Sequence, residues 1–202
     1  MSDPGGDLFA VVGRQRAHRA FTDEPVGDDA IARVLDAAVH APSAENRQPW
    51  EFVVVRDAGL RERIGVLTER AWTDHGRAFS ESRLPPALFA DVDAGATGGI
   101  AAAPVLIVVC ADTGRGLPAT VDSSIFPAVQ NLLLAATALG LGSALTTITT
   151  IACSELQEAL HLPPSVRPVA VVPIGHPARP LGPPRRAPFG EHTHRDRYGT
   201  RW

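Results

Sequence analysis

The fold is organised around one loop and the strand that follows it, which read PSAENRQPW at residues 42–50 and EFVVV at residues 51–55. The β-branched and aromatic run predicts a strand. The loop carries Asn46 and Gln48, whose amides can donate and accept hydrogen bonds and so suit the edge of a pyrimidine-like ring. An ordinary helix-to-strand turn would also account for Pro42 and Asn46.

Further elements are predicted on both sides of this strand. Helices are expected from about residue 7 to 17, from Asp28 or Asp29 until Pro42, from Asp57 to about Arg70, from about Ser123 to Leu139, and in a short stretch ending near Leu160. Strands are expected at Pro104–Cys110, Ser143–Thr149 and Pro168–Gly175. The helix from Ser123 is apolar on almost every side, which places it in the molecular centre or in a subunit interface. Together these elements predict an α+β sandwich with a small mixed sheet.

Two segments lack a core pattern. The stretch from about His75 to Gly99 is mixed and polar, and is interpreted as an insertion or lid within a single domain spanning residues 1–202. Residues 176–202 are rich in Pro and Arg and predict neither helix nor strand. Phe189, Tyr198 and Trp202 have large apolar side chains that would stay exposed in a solvated tail. This extended tail is therefore expected to bury them by packing on a partner subunit.

Composition limits the class of protein. The chain has 202 residues, 45% hydrophobic and 20% charged, as a globular domain does. Its net charge of −3 gives no reason to expect nucleic-acid binding, and no apolar stretch is long enough to cross a membrane. The opening residues MSDPGGD lack the pattern of a signal peptide, so a cytoplasmic protein is expected. Cys110 and Cys153 are interpreted as buried thiols, and His192 with His194 are too few to hold a metal.

The basic residues are unusual, since all 19 of them are Arg. Any anion site must therefore use guanidinium groups, which can hold a phosphate in a bidentate manner and keep their charge. The absence of lysine excludes Schiff-base enzymes, a pyridoxal phosphate anchor and the lysine of a Walker A motif.

Two more motifs bear on chemistry. Arg16 and Arg19 lie three residues apart, so on a helical turn they would share a face and could hold a phosphate or an electron-rich ring edge. A solvated basic turn is the alternative. Gly140-Leu141-Gly142 closes the long helix and precedes a predicted strand. These glycines follow a helix and do not open one, so they are not a dinucleotide fingerprint, and a helix C-cap is the alternative.

In their order and spacing, these blocks resemble the nitroreductase family. The resemblance runs from about Val11 to Pro188 and rests on RAHRAF (16–21), Pro25-Val26, the loop at 42–50, VQNLLLAA (129–136) leading to Gly140-Leu141-Gly142, and PIGHP (173–177) followed by Arg185-Arg186. The chain departs from the first motif at Gln15 and Ala17, where the family usually has Arg and Ser.

The resemblance implies an α+β sandwich with a central mixed, mostly antiparallel sheet flanked by helices, and an intertwined homodimer with FMN at the subunit interface. By motif position, Arg16, Ala17 and Arg19 would serve the phosphate, the ribityl chain and the N1–O2 edge of the flavin, and Arg185 and Arg186 would close on the phosphate. The other subunit would bring a loop against the flavin ring, formed by Pro42, Ser43, Ala44 and Asn46. We expect the amide of Gln48, in the same loop, to bind the cofactor as well. Thr146 and Thr147 occupy the stretch whose backbone N–H approaches flavin N5.

The activity implied is a ping-pong, two-electron reduction of nitroaromatics, quinones or a related small acceptor by NADH or NADPH. No side-chain nucleophile or acid is required, and Arg19 would supply positive charge near N1. Two alternatives stay open. One is a specialised flavoenzyme on the same scaffold, such as a dehalogenating, flavin-fragmenting or peptide-desaturating enzyme. The other is a non-catalytic FMN-binding protein.

Overall fold

The computed structural model describes residues 8–202, so the predicted helix start at residue 7 and the interpretation of the opening residues lie outside it. The helices are α1 (Leu8–Arg14), α2 (Asp28–Val39), α3 (Ala58–Ala71), α4 (Arg77–Glu81), α5 (Pro86–Ala94), α6 (Ile100–Ala102), α7 (Val121–Ala138) and α8 (Cys153–Ala159). The strands are β1 (Trp50–Val55), β2 (Val105–Asp112), β3 (Gly142–Ser143) and β4 (Val166–Gly175). Short 3-10 turns lie at Ala44–Asn46, Ile148–Ala152 and Phe189–Glu191, and π-type turns at Trp72–Gly76 and Gly95–Gly99.

The strands form one sheet in the order β1-β2-β4-β3, with every neighbouring pair antiparallel. Val53 lies opposite Val108, which in turn lies opposite Val171. At the β3 edge, Ala17 forms an isolated parallel bridge with Ser143. The sheet with its flanking helices confirms the predicted α+β fold, and within residues 8–202 its parallel part is limited to this bridge.

Strand β2 is buried on both faces, and its alternating side chains enter two separate cores. Ile107 and Val109 pack with α2 and α7, whereas Leu106 and Val108 pack on the opposite side with residues of α3 and α8. The near-continuous apolar run of this strand is therefore explained by helices covering both faces of the sheet.

The long predicted helix is confirmed as α7, and it lies against the sheet with Ile125, Leu132 and Ala136 fully buried. The helix predicted from Asp57 is also confirmed, since the Asp57 carboxylate accepts a hydrogen bond from Leu60 N–H at 2.8 Å and caps α3.

Two sequence predictions were wrong in extent. The strand predicted at Ser143–Thr149 pairs only at β3, with one further bridge between Thr146 and Val171, and then turns into a 3-10 helix. The Thr147 carbonyl accepts both the N–H and the hydroxyl of Thr150, so this local turn overrides the strand preference of the threonines.

The first helix, predicted to about residue 17, ends at Arg14. Beyond it the chain must be extended, because His18 N–H donates to the Ser143 carbonyl at 2.9 Å along the edge of the sheet. Arg16 and Arg19 therefore lie on an extended segment and do not share a helical turn, which corrects that expectation.

The segment around residues 75–99, expected as an insertion or lid, is mostly helical. Ala96 in this segment and Trp72 and Ile100 beside it are buried. The indole N–H of Trp72 donates to Asp93 at 2.8 Å. Arg77 bonds the same carboxylate at 3.0 Å and its guanidinium lies 5.5 Å from the ring centre of Phe89. These contacts hold the segment together, and the turns at its two ends pack against α3.

The tail after Gly175 contains one short 3-10 turn and closes on itself near its end. Trp202 N–H donates to the Thr193 carbonyl at 3.2 Å, and the rings of Phe189 and Trp202 meet edge to face at 6.5 Å. Even so, Phe189, Tyr198 and Trp202 remain 68%, 93% and 63% exposed. Over residues 8–202, no helix combines the length and apolarity that crossing a bilayer demands.

Candidate functional site

Four predicted arginines surround one cavity of about 650 Å³. Arg16 and Arg19 come from the segment after α1, and Arg185 and Arg186 come from the C-terminal tail. The remaining lining residues are Gln15, Ala17, Leu88, Asp91, Gln130, Leu133, Leu145, Pro183 and Pro184. The two arginine pairs, far apart in sequence, thus face the same space.

The edge of the sheet positions the first pair. The Ala17–Ser143 bridge and the hydrogen bond from His18 N–H fix the backbone between Arg16 and Arg19, and both arginines line the cavity. The Arg16 guanidinium donates to the carbonyl of Gly182, a tail residue 166 positions away. This hydrogen bond joins the first arginine to the segment that carries the second pair.

Arg19 is held more tightly than Arg16. Its guanidinium forms an ion pair with Asp91 of α5 at 3.0 Å, and its aliphatic stem packs against Gly95. A Cβ at Gly95 would lie 2.6 Å from Arg19 Cδ, and one at Gly99 would lie 2.3 Å from the Arg19 carbonyl oxygen. These two glycines therefore provide the groove in which Arg19 lies.

The tail reaches the cavity along a path fixed by several contacts. Ala178 N–H donates to the Ala20 carbonyl at 3.1 Å, and Arg179 pairs with the second carboxylate oxygen of Asp91 at 3.0 Å. The chain then runs through Pro183-Pro184, whose φ angles are restricted by their rings, to Arg185 and Arg186. The outer wall of the cavity is consequently built from the last part of the chain.

A smaller compartment of about 160 Å³ adjoins the first and shares Arg19 and Leu145 with it. Thr146 and Thr147 line this compartment, together with apolar walls that include Trp72 and Ile100. The N–H of Thr146 is already donated to the Val171 carbonyl at 3.0 Å. Among the described residues no acceptor is found for the N–H of Thr147, so Thr147 is the better candidate for a backbone donor to a ligand.

The predicted loop residues lie elsewhere in the protomer. Ala44 lines a separate cavity of about 260 Å³, and its N–H donates to the Ser124 hydroxyl at 3.1 Å. Gln48 N–H donates to the Ser43 hydroxyl at 3.0 Å and the Gln48 amide donates to Asn46 Oδ1 at 3.1 Å. Pro42, Asn46 and Gln48 are exposed. The structure thus does not bring this loop to the arginine cavity of its own chain.

The charge of the arginine cavity is mainly positive. Asp91 is the one carboxylate in its lining over the described residues, against four guanidinium groups. The neighbouring His18 is half-buried, and burial is the main cause that lowers its pKa, followed by the positive charge of Arg16 and Arg179, with Asp91 acting in the opposite direction. The lowered pKa favours the neutral imidazole of His18, and the positive groups that line the cavity are its four arginines.

Sequence reasoning missed Asp91 and Gln130. Gln130 lies on α7, and a polar residue next to Asn131 in an otherwise apolar helix was the available signal. Asn131 uses its amide within the fold, donating to the Ala37 carbonyl at 3.0 Å, whereas Gln130 lines the cavity. Asp91 gave no local signal, because its partner Arg19 is 72 residues away.

The donor set fits the FMN that the sequence resemblance implies. Guanidinium groups suit a phosphate monoester, the Gln130 amide can donate and accept at a ring edge, and the volume is within the range of about 300–1,000 Å³ typical of small-molecule sites.

For metal ions the outcome differs, because no group of three or more possible ligands occurs within residues 8–202. The ring of His194 packs on Tyr198 at 4.4 Å, and its Nδ1 accepts Gly199 N–H at 3.2 Å.

The cysteines play no visible part in this site. Cys110 is fully buried in β2, and burial raises the pKa of its thiol to about 12. Cys153 is only partly buried and its thiol contacts the Gln157 side chain at 3.7 Å. The expectation of a buried thiol is confirmed for Cys110 and is too strong for Cys153.

Comparison with known proteins gives a consistent result. The model of the nitroreductase family matches residues 12–176. A protein of Methanothermobacter thermautotrophicus, described as an NADH dehydrogenase/NAD(P)H nitroreductase, is 30% identical over 87% of this chain and 80% of its own length. The 5,6-dimethylbenzimidazole synthase of Rhodospirillum rubrum is 36% identical over 67% of this chain and 66% of its own length. A nitroreductase from Desulfovibrio desulfuricans, solved in complex with FMN, is 28% identical with a TM-score of 0.76, covering 96% of this chain and 98% of that one.

The groove around Arg19 yields a stability prediction. Gly99 has ordinary helical backbone angles, so the cost of Gly99→Ala comes from its Cβ, which would lie 2.3 Å from the Arg19 carbonyl oxygen and 3.2 Å from that of Ala94. We expect this substitution to lower the free energy of unfolding by about 1–3 kcal/mol. Urea denaturation at one fixed protein concentration measures this change. The matched control is Gly13→Ala in α1, where a Cβ meets no atom within 4 Å and a gain of up to about 1 kcal/mol is expected. Equal stability of the two variants would contradict the packing described for Gly99.

Proposed function

Because this chain belongs to the nitroreductase family, we propose that it reduces small acceptors such as nitroaromatics or quinones with electrons from NADH or NADPH. At the coarser level, it is an FMN-dependent oxidoreductase. The observation that carries the proposal is the meeting of Arg16, Arg19, Arg185 and Arg186 around one cavity.

The arginines divide into two roles. Arg185 and Arg186 lie in the outer wall, and Arg16 is bonded to the tail that forms this wall. These three arginines would hold the FMN phosphate, because they offer charge-assisted hydrogen bonds to a dianion. Arg19 lies deeper, between the two compartments, and would face the polar edge of the flavin ring. Ala17 offers a small side chain and the backbone beside them.

FMN, when bound, supplies the two-electron chemistry. The chain itself binds and orients this group and its substrates. The Thr147 N–H and the Gln130 amide would fix the ring by hydrogen bonds, and Arg19 would favour the reduced state through its positive charge. Trp72, Ile100 and Leu145 would exclude water from the smaller compartment, where electrostatic interactions are correspondingly stronger.

We also propose that the protein acts as a homodimer whose two subunits share each site. The loop of residues 42–48 is internally bonded and largely exposed, yet it lies apart from the cavity of its own chain, so it is available to a partner's cavity. An apolar groove of about 410 Å³ between α1, α2 and α7 offers a surface for the contact. Leu8 and Val12 beside it are 63% and 51% exposed, which is costly in a monomer. The cytoplasmic location and the packing of the tail on the partner stay predictions.

The function is tested with purified protein. We expect the absorbance of oxidised flavin, with FMN and no FAD released by heat, and steady turnover of NADH or NADPH with a quinone or a nitroarene. Flavin bound without turnover over a panel of acceptors would favour a binding protein instead of an enzyme. Failure to bind FMN on reconstitution would contradict the proposal altogether.

A second candidate function is favoured by the relative named 5,6-dimethylbenzimidazole synthase. For this chain, the second function would be a specialised reaction of the bound flavin in place of the reduction of a small acceptor. Reduced protein exposed to oxygen separates the two. Return of unchanged oxidised FMN supports the reductase, and a new product formed from the flavin supports the specialised enzyme.

Arg16→Ala and Arg186→Ala should each weaken FMN binding. Each removes charge-assisted hydrogen bonds to the phosphate, worth about ten- to hundred-fold in the dissociation constant. Titration of the apoprotein with FMN, followed by flavin fluorescence, gives this constant. Arg63→Ala serves as a control, because Arg63 pairs loosely with Glu158 at 3.9 Å and does not line the cavity. Retention of the wild-type constant by one variant would remove that residue from the phosphate site.

Removal of the chain after Gly190 should weaken both the dimer and flavin binding. The deletion removes the exposed aromatics Tyr198 and Trp202, and each such ring buries on the order of 150–250 Å² when it finds a partner. Light scattering measured together with flavin absorbance follows mass and occupancy. A truncated monomer that keeps full FMN, or a wild-type monomer with FMN bound, would refute the shared site.

A further inference from the structure

Asp91 is a carboxylate placed among cations. One of its oxygens accepts from Arg19 at 3.0 Å and the other from Arg179 at 3.0 Å, and its side chain is 28% exposed. Neither contact is part of the sheet, since α5 lies in the helical segment between α3 and β2, which contributes no strand. A negative charge in the wall of an anion site opposes the binding of an anion, so its presence calls for another explanation.

The surrounding helix face is shaped to hold Arg19. Asp91 and Gly95 lie four residues apart, about one helical turn. Gly99 follows a break in the helix at Thr97 and Gly98, and its close approach to Arg19 places it on the same side. Asp91 pairs with the Arg19 guanidinium. Gly95 leaves room for the aliphatic stem of Arg19, and Gly99 leaves room for its backbone carbonyl. Arg19 cannot move along this face without breaking the ion pair or meeting the backbone.

We propose that Asp91 is a positioning residue that fixes Arg19 against the flavin ring and lowers the reduction potential of the bound FMN. This inference rests on the proposed function, in which Arg19 faces the polar edge of the ring. Arg179 is the third member of the group, and its charge partly offsets that of Asp91.

The sign follows from charge alone. Two-electron reduction makes the flavin ring more negative, so a nearby cation favours the reduced form and a nearby anion favours the oxidised form. Arg19 acts in the first direction and Asp91 in the second. A unit charge acting over roughly 10 Å at an effective dielectric constant of about 20 changes the ratio of the two forms by about tenfold.

Two single substitutions give opposite expectations. In Asp91→Asn the side-chain shape and one acceptor oxygen remain but the negative charge is lost, so at a fixed solution potential the ratio of reduced to oxidised FMN should rise about tenfold. In Arg179→Gln a positive charge is lost, so the same ratio should fall. The fall should be smaller, about two- to threefold, because Arg179 is 65% exposed and its charge is screened by solvent.

The midpoint potential of FMN bound to each variant is measured by equilibration with a reference dye. Glu158→Gln is the matched control, since Glu158 of α8 is 78% exposed, pairs loosely with Arg63 at 3.9 Å and lines neither compartment. We expect this control to leave the potential unchanged. A purely structural role for the ion pairs would shift the potential of Asp91→Asn and Arg179→Gln in the same direction.

The outcomes are distinguishable. Opposite shifts of the two variants, with an unchanged control, support the inference. Shifts of the same sign, or an Asp91→Asn potential equal to that of the wild type, overturn it while the proposed function stands, because the wild type still binds FMN and turns over. Absence of FMN binding by the wild-type protein would overturn both.

Discussion

The bridge between Ala17 and Ser143 at the edge of the sheet is the contact on which the rest of the site depends. It forces the chain after α1 to leave its helix and run extended, with His18 N–H bonded to the Ser143 carbonyl. In that conformation Arg16 reaches the tail at Gly182 and Arg19 reaches Asp91 of α5. Backbone groups at the edge of a sheet have no further strand to bond, and here they fix the segment that carries Arg16 and Arg19.

Elements with strong periodicity could be predicted from the sequence, and those governed by distant partners could not. The buried strand β2 and the helix α7 were found within about two residues of their ends because their apolar patterns are long. The threonines after Ser143 have strand propensity, but the hydroxyl of Thr149 meets that of Thr68 in α3 at 2.7 Å, and the chain turns inward to make this contact. No window of sequence contains that information.

The same division holds for the site. Arg16, Arg19, Arg185 and Arg186 could be named from motifs, and the structure places all four around one cavity. No recognisable motif contains Asp91, Gly95 or Gly99, since acidic residues and glycines occur along the whole sequence. Their role becomes visible only when Arg19 is seen to lie along them. Local chemistry thus predicts candidate binding groups, whereas their mutual arrangement comes from the tertiary structure.

The outer wall of the arginine cavity has a consequence for biosynthesis. Arg16 and Arg19 precede every strand of the sheet, whereas Arg185 and Arg186 of this wall follow its last strand, β4, and leave the ribosome after it. Domains generally begin to fold from the N-terminal side during translation, so the sheet and both helical layers can form before this wall exists. A nascent chain therefore has an incomplete arginine cavity until the residues after β4 have been synthesised. Completion of the cavity is in this way coupled to synthesis of this later segment, and a product terminated before Arg185 would lack two of the four arginines.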